Sequence, residues 1–470
     1  MLPVLSRAEM QAADAAALAS VSHQTLVRRA GTAAARTALD IMGGAYGRRV
    51  VVVAGKGSNG ADARVLAEVV ARRGAAVTTF EASSAPTVLP PCDLVVDGAY
   101  GTGFRGRYDA PTVPEGTPVL AIDIASGVDA DTGEASGSAV RATDTVTFAA
   151  YKPGLLQGDG PASSGRVRVA DIGIATGTPR VMLVEDADLA LVPPRQRTAH
   201  KWSSAVGVAA GSPGMEGAAV LCARGAMAAG SGMVRLGSPG DPGASWPVEV
   251  VRLQLGGPGH GTGAEAAEWS TPFLDGASKC ASIVVGPGLG TSASTAAQIR
   301  AVIAGAPGPV VVDADGLTAL GSAAEARAVV AARAAPTVLT PHDGEFARLA
   351  GAAPGEDRIA AARDLAGRTG AVVLLKGPTT VVAAPPSAAV TTDVLVVASG
   401  SPALATAGTG DVLSGIIGAF LARGAPAPVG AALAAHVHGR AAGRGRREGL
   451  VSGDLPALVA DVLSEVLHHG

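Results

Sequence analysis

The 470-residue chain has almost no lysine: Lys56, Lys152, Lys201, Lys279 and Lys376 are all there are, so arginine makes up 32 of its 37 basic residues. Forty acidic residues outweigh those 37, a formal charge of -3. That balance supplies no basic field for nucleic acid and no polybasic patch for a membrane. Cysteine is scarce as well. Cys92, Cys222 and Cys280 are odd in number and far apart, which excludes paired metal spacing and a disulfide framework, and a reducing cytoplasm is expected. Long apolar runs are missing. Mean hydropathy is +0.33, but alanine and valine carry it, and the longest uncharged candidate, residues 412–422, falls short of the roughly 18 residues a membrane span needs. Near the start, Arg7, Glu9 and Asp14 interrupt small apolar residues as on a surface helix, so no secretion signal is expected.

What is present points to a globular protein. The chain is 48% hydrophobic and 16% charged, with 64 glycines and 31 prolines, enough apolar matter for sizeable cores. At roughly 150 residues per domain its length implies more than one. Short β-rich runs at 49–54, 77–80, 94–97, 119–122, 145–149 and 167–171 alternate with helical stretches, the rhythm of a parallel sheet with crossover helices. Several of these runs end in glycine-rich loops, where open α/β sheets bind ligands. Between 173 and 200 the pattern breaks into an acidic patch at 185–188 and Pro193-Pro194, which sets expected domains at 1–184 and 185–470. A second α/β series has strands near 205–209, 282–285, 310–313, 337–339, 372–375 and 394–397. From Thr409 onward the chain reads as three helices.

Four loops of the first half carry chemistry. Gly55-Lys56-Gly57-Ser58-Asn59-Gly60-Ala61-Asp62 joins a strand to a helix, and glycines there let backbone amides approach an anion. A structural turn would look the same. The second loop, Asp97-Gly98-Ala99-Tyr100-Gly101-Thr102-Gly103-Phe104-Arg105-Gly106-Arg107, pairs a carboxylate with flexible backbone and two guanidinium groups suited to phosphates. In the third, Asp123 ends a strand and Ser126 offers a hydroxyl beside it. Its continuation, Asp129 to Gly133, lacks the full spacing of a calcium loop, which favours solvated turn carboxylates. The fourth is Tyr151-Lys152-Pro153-Gly154.

These four loops, in this order, resemble the epimerase domain of the bifunctional NAD(P)H-hydrate repair enzymes. That family's first loop usually reads Asn-Asn-Gly-Gly-Asp, where this chain has Ser58-Asn59-Gly60-Ala61-Asp62. The resemblance implies a Rossmann-like three-layer αβα domain that interconverts the R and S hydrates, with Asp123 and Lys152 catalytic. It implies a hydrate site of Ser58, Asn59, Gly60, Ala61, Asp62, Gly101, Thr102, Gly103, Phe104, Arg105, Gly106, Arg107 and Asp123. It also implies a potassium ion on Asn59, Asp97 and Ser126, whose oxygens suit a hard monovalent cation.

The second half places Gly286-Pro287-Gly288-Leu289-Gly290, Asp313-Ala314-Asp315-Gly316, Thr340-Pro341-His342-Asp343-Gly344-Glu345, Lys376-Gly377-Pro378-Thr379-Thr380 and Ala407-Gly408-Thr409-Gly410-Asp411 at strand ends or helix starts. On one edge of a parallel sheet they would converge on one cleft. Gly408-Thr409-Gly410 aims backbone donors at a helix N-terminus with Asp411 beside them as a base, a constellation suited to phosphoryl transfer. A helix-capping Asp411 and a buried core His342 are the plain structural alternatives.

This half resembles the ADP-dependent NAD(P)H-hydrate dehydratases, from about Arg195 to the end, and implies a ribokinase-like αβα sandwich. Ala218, Gly290, His342 and Asp411 match the hydrate-holding positions, Lys376, Gly377, Pro378, Thr379, Thr380 and Gly410 the adenine-nucleotide site, and Asp411 the catalytic base. The family's His-Lys-Gly opening reads His200-Lys201-Trp202. Together the two resemblances imply a fused repair enzyme acting on NADHX and NADPHX, with K+, ADP or ATP, Mg2+ alongside the nucleotide, and homo-oligomeric assembly. No nucleic acid or membrane partner is implied. A ribokinase-superfamily kinase for a vitamin-like alcohol, carrying a binding module, shares the Gly-Thr-Gly-Asp motif but has no use for the four N-terminal loops.

Overall fold

The computed structural model describes residues 1–239, 246–255, 268–388 and 390–468. The chain divides into two compact units, Leu2–Val181 and Met182–Gly470. The first unit is built on a wholly parallel sheet in the order Ala76–Glu81, Arg49–Ala54, Leu94–Gly98, Val119–Ile122, Asp144–Phe148, Arg166–Ala170. Strand parity explains why the middle strands read as unbroken valine. Val50, Val52 and Ala54 join the core beneath the helices His23–Met42 and Ser58–Arg72, while Val51 and Val53 are equally buried on the opposite face. A strand covered on both sides has no polar phase. Each fully buried valine contributes about 1.5–3 kcal/mol through the hydrophobic effect.

The second unit's sheet runs from Val181–Leu183 through Val394–Val397, Thr380–Ala383, Val372–Leu375, Thr337–Leu339, Val310–Val312, Ser282–Val285 and Ala205–Ala209 to Met233–Gly237 and Val251–Leu253. Four of these strands, Val181–Leu183 among them, lie outside the runs the sequence marks. In Met233–Gly237 and Val251–Leu253, Arg235 and Arg252 break the apolar run, as befits strands near a sheet edge. Thr380–Ala383 is antiparallel to both its neighbours. The sheet is therefore mixed, and residues 376–379 form a hairpin turn, not a strand-to-helix loop.

The apolar run 412–422 lies in the helix Thr409–Ala422, which is buried over nearly its whole length. Two glycines let it lie directly on the helix Glu216–Ala228. A Cβ on Gly415 would stand 2.0 Å from the Cys222 carbonyl oxygen, and one on Gly225 would stand 2.3 Å from that of Val412. Among the described residues no helix is long and apolar enough to cross a membrane. The three cysteines are free and buried.

Candidate active sites

In the first unit a cavity of about 860 Å³ opens at the carboxyl ends of the central strands. Lys152 is its anchor. The side chain is 1% exposed, and its Nζ donates to Asp123 Oδ1 at 2.5 Å, Thr147 Oγ1 at 2.8 Å and the Phe148 carbonyl at 3.0 Å. All three ammonium donors are spent, as burial of a lysine demands. Asp123 closes the strand Val119–Ile122 with φ at +67°, one of three non-glycine residues in the left-handed region among the described residues. Such strain is held where the surroundings over-determine it, often at functional sites. Here the lysine and Thr147 fix the carboxylate toward the cavity.

Three further carboxyl groups line the cavity, Asp62, Asp14 and Glu81, the last paired with Arg64 at 2.6 Å. Asp62 is buried, and its Oδ1 has no hydrogen-bond partner. Burial, then Asp123 and Asp14, push its pKa up to about 8, so at neutral pH it keeps its proton and can donate it. Asp14 is also raised, by burial and then by Asp123. In the sequence Asp14 marks only a surface helix. Nothing local marks its role, because its partners come from the other end of the unit.

Asn59, Asp97 and Ser126 meet around the Tyr100 peptide group. Asn59 Nδ2 donates to the Tyr100 carbonyl at 2.8 Å, the Tyr100 amide donates to Ser126 Oγ at 2.9 Å, and Ser126 Oγ donates to Asp97 Oδ1 at 2.7 Å. All three side chains are buried. Burial pushes the Asp97 carboxyl up to about 6 against the bonds from Ser126 and Ala99 that pull it down. Carboxylate, hydroxyl, amide and carbonyl oxygens in one buried cluster are a hard donor set that fits potassium. Among the described residues there is no cluster of three or more histidines, cysteines or acids of the kind that holds a transition metal.

The remaining loop positions divide. Ser58, Gly101, Thr102, Gly103, Phe104 and Arg105 line the cavity together with Asn59, Asp62 and Asp123, whereas Gly60, Ala61, Gly106 and Arg107 do not. Arg107 instead forms an exposed fork with Asp109, at 3.1 Å to each oxygen, so one guanidinium of the expected two faces the site. Phe104 packs on Tyr100, ring centroids 5.1 Å apart. The carboxylates 129–131 are not simply solvated. Asp129 accepts from Arg7 Nη2 at 2.8 Å, Asp131 accepts from the Arg7 amide at 2.8 Å, and Arg7 Nε also donates to the Thr102 carbonyl, so they brace the second loop.

In the second unit Lys376 ends the strand Val372–Leu375 and donates to Asp313 Oδ1 at 2.6 Å, while Ser414 Oγ donates to the other oxygen at 2.6 Å. The sequence alone gives Asp313 no task. It orients the ammonium from 63 residues away. Gly410 lies alongside: a Cβ there would stand 3.4 Å from Lys376 Nζ. The N-cap of the helix Thr409–Ala422 is Gly408, with φ at +86° and no side-chain cap, so Asp411 is not the capping residue. The Thr409 amide is taken by the Thr406 carbonyl at 3.3 Å. Among the described residues no backbone carbonyl accepts from the amides of Gly410 and Asp411, the usual state of a helix start. The Asp411 carboxyl accepts no hydrogen bond from a described residue. Burial, then Asp313, push it up to about 7 against the pull of Lys376.

His342 is exposed, which rules out the buried-core alternative. It caps the helix Asp343–Ala350, its Nδ1 accepting from the amides of Gly344 at 3.0 Å and Glu345 at 3.3 Å, while Nε2 lies 3.6 Å from Glu345 Oε2. The Gly290 amide donates to Asp315 Oδ2 at 2.7 Å. Ala218 packs against the same loop, 3.0 Å from where a Cβ on Gly288 would stand. Gly377, Pro378 and Thr379 form the hairpin turn, and Thr380 begins the returning strand.

Comparisons with known proteins match both halves. The family described as NAD(P)H-hydrate dehydratase matches residues 206–464, and the family described as YjeF-related protein N-terminus matches 23–88 and 79–154. A Mycobacterium tuberculosis protein named bifunctional NAD(P)H-hydrate repair enzyme Nnr is 41% identical over 90% of this chain and 90% of its own. One of the same name from Moorella thermoacetica is 33% identical over 87% and 86%. A solved structure from Bacillus subtilis, an ADP/ATP-dependent NAD(P)H-hydrate dehydratase co-crystallised with ATP and Mg2+, is 25% identical over 59% of this chain and 97% of its own, with a TM-score of 0.47.

Proposed function

The chain belongs to the bifunctional NAD(P)H-hydrate repair enzymes, and from that premise we propose that its first unit interconverts the R and S hydrates of NADH and NADPH while its second dehydrates the S form at the expense of ADP. In the first unit the hydrated carbon bears both the hydroxyl and the ring nitrogen. Protonated Asp62 gives its proton to the departing hydroxyl, which leaves as water. Asp123, held by Lys152, takes a proton from water adding to the opposite face. The two carboxyls exchange protonation states, and solvent resets them. Potassium on Asn59, Asp97 and Ser126 would supply a fixed positive charge behind the Tyr100 to Arg105 loop, and Arg105 would take a phosphate of the dinucleotide.

In the second unit Asp411 takes the proton of the hydrate's hydroxyl as that oxygen attacks the terminal phosphorus of ADP, and AMP leaves. The open amides of Gly410 and Asp411, with Lys376, stabilise charge developing on the transferring group. Loss of phosphate from carbon, with loss of a proton from the neighbouring ring carbon, returns the dihydronicotinamide. His342, Gly290 and Ala218 bound the hydrate. Lys376, Gly377, Pro378, Thr379, Thr380 and Gly410 hold the nucleotide, and Mg2+ would arrive on its phosphates. Three free cysteines buried in the interior suit a cytoplasmic setting.

The observation that carries this reading is an Asp411 carboxyl and two amides without hydrogen-bond partners among the described residues, beside a lysine fixed by Asp313. Incubation of pure S-hydrate with ADP tests it. Dihydronicotinamide absorbance should return, with AMP and phosphate formed in equal amount. A stable phosphorylated product without that absorbance would favour the kinase instead.

A further inference from the structure

Arg358 stands where a helix does not want a cation. It is the first residue of the helix Arg358–Thr369, whose cap is Asp357, accepting from the Ala360 amide at 2.9 Å. A positive charge in the first turn meets the positive end of the helix dipole, so the helix itself gives no reason for this arginine. Its two terminal nitrogens serve two loops, while Nε is buried with no hydrogen-bond partner among the described residues. Nη2 donates to the Lys376 carbonyl at 2.7 Å and lies 2.8 Å from Asp343 Oδ1, while Nη1 donates to Asp343 Oδ2 at 3.1 Å. The arginine side chain is 14% exposed, against 60% for Asp343. Gly377 makes room for it. A Cβ at that position would stand 2.7 Å from Arg358 Nη2, so a side chain there would push the guanidinium off the Lys376 carbonyl.

Asp343 follows His342, on the hydrate side, and Lys376 and Gly377 open the nucleotide loop. We propose that Arg358 is a positioning residue that ties these two loops together, so that ordering of one by its ligand pre-orders the other. The inference rests on the dehydratase reading above. A planar fork is needed for it: one face must serve a carboxylate and a carbonyl at once, which a lysine ammonium on a flexible stem does not hold in register. Coupling of this kind is reciprocal, ADP raising affinity for hydrate by the factor by which hydrate raises affinity for ADP.

The test uses the full chain and initial rates on S-hydrate, with each KM measured at low and at saturating concentrations of the other ligand. Arg358→Lys, Asp343→Asn and Gly377→Ala are each expected to raise both KM values about tenfold and to make each KM independent of the other ligand, within the ordinary range of coupling factors. The midpoint of the pH–rate profile, set by Asp411, should not move. If Arg358→Lys fails to fold, Asp343→Asn, which removes only an exposed charge, carries the same expectation. Variants that lose thermal stability while keeping both KM values and their interdependence would reduce Arg358 to a structural role and overturn the proposal, as would a change confined to one KM. A wild type that yields no dihydronicotinamide with ADP would remove the dehydratase reading and this inference with it. A wild type that turns over beside unaffected variants would remove the inference alone.

Discussion

Asp411 shows what a single carboxyl can be asked to do. With its pKa pushed up to about 7 by burial and Asp313, it is half-ionised near neutrality, the condition for an efficient base. The dehydration rate should rise as pH increases through about 7 and then level. Stability runs the other way. The folded carboxyl binds its proton more tightly than the unfolded one at 3.8, so the unfolded chain ionises first as pH rises, and stability is lost between about 4 and about 7. Asp411→Asn should therefore lose roughly 10²- to 10⁴-fold in dehydration and yet unfold at a higher temperature than wild type at pH 8. A lower unfolding temperature would contradict the account of this site. Lys376→Arg keeps the charge but cannot place a fork in the space between Asp313 and Gly410, and ADP binding measured by calorimetry should weaken about tenfold. Asp123, Lys152, Lys376 and Asp411 were legible in the sequence because each sits inside a compact motif. Asp313, Arg358 and Asp14 were not, because their work is done on residues far along the chain: Lys376 is 63 positions from Asp313 and 18 from Arg358.

Among the elements, those buried on both faces were the readable ones. Arg49–Ala54, Val119–Ile122, Ala205–Ala209 and Ser282–Val285 have the same limits in the structure as in the sequence, since a valine run has no competing reading. Thr380–Ala383 was lost because its first residue closes the Lys376 motif and the run after it is short. Helix contacts were invisible for a different reason: a glycine in a helix reads as a weakness until its neighbour is known. Gly415 and Gly443 separate the two cases. Gly415→Ala drives a Cβ into the Cys222 carbonyl and should cost about 1–3 kcal/mol. Gly443→Ala, in the helix Ala427–Arg444 with nothing within 4 Å, should add about 0.5–1 kcal/mol through helix propensity. Denaturant unfolding of the two variants measures both, and equal effects would mean that the packing of Thr409–Ala422 on Glu216–Ala228 is not what places the Gly408 to Asp411 turn.

At the scale of the whole molecule, two compact units each carry one site, and the second reaction accepts the product of the first. The two-part plan was legible from the break near residue 185 and from the order of the loops. Which carboxyls keep their protons was not, because that depends on burial. The central claim, that one chain performs both steps, is tested most directly with an equal mixture of R and S hydrates, saturating ADP, and continuous reading of dihydronicotinamide absorbance. Wild type should convert the whole mixture in one course. Asp123→Asn should convert the S half at the wild-type rate and then slow to the uncatalysed interconversion of epimers. Conversion of the R half by Asp123→Asn as fast as by wild type, or a wild type that itself stops at the S half, would contradict the account.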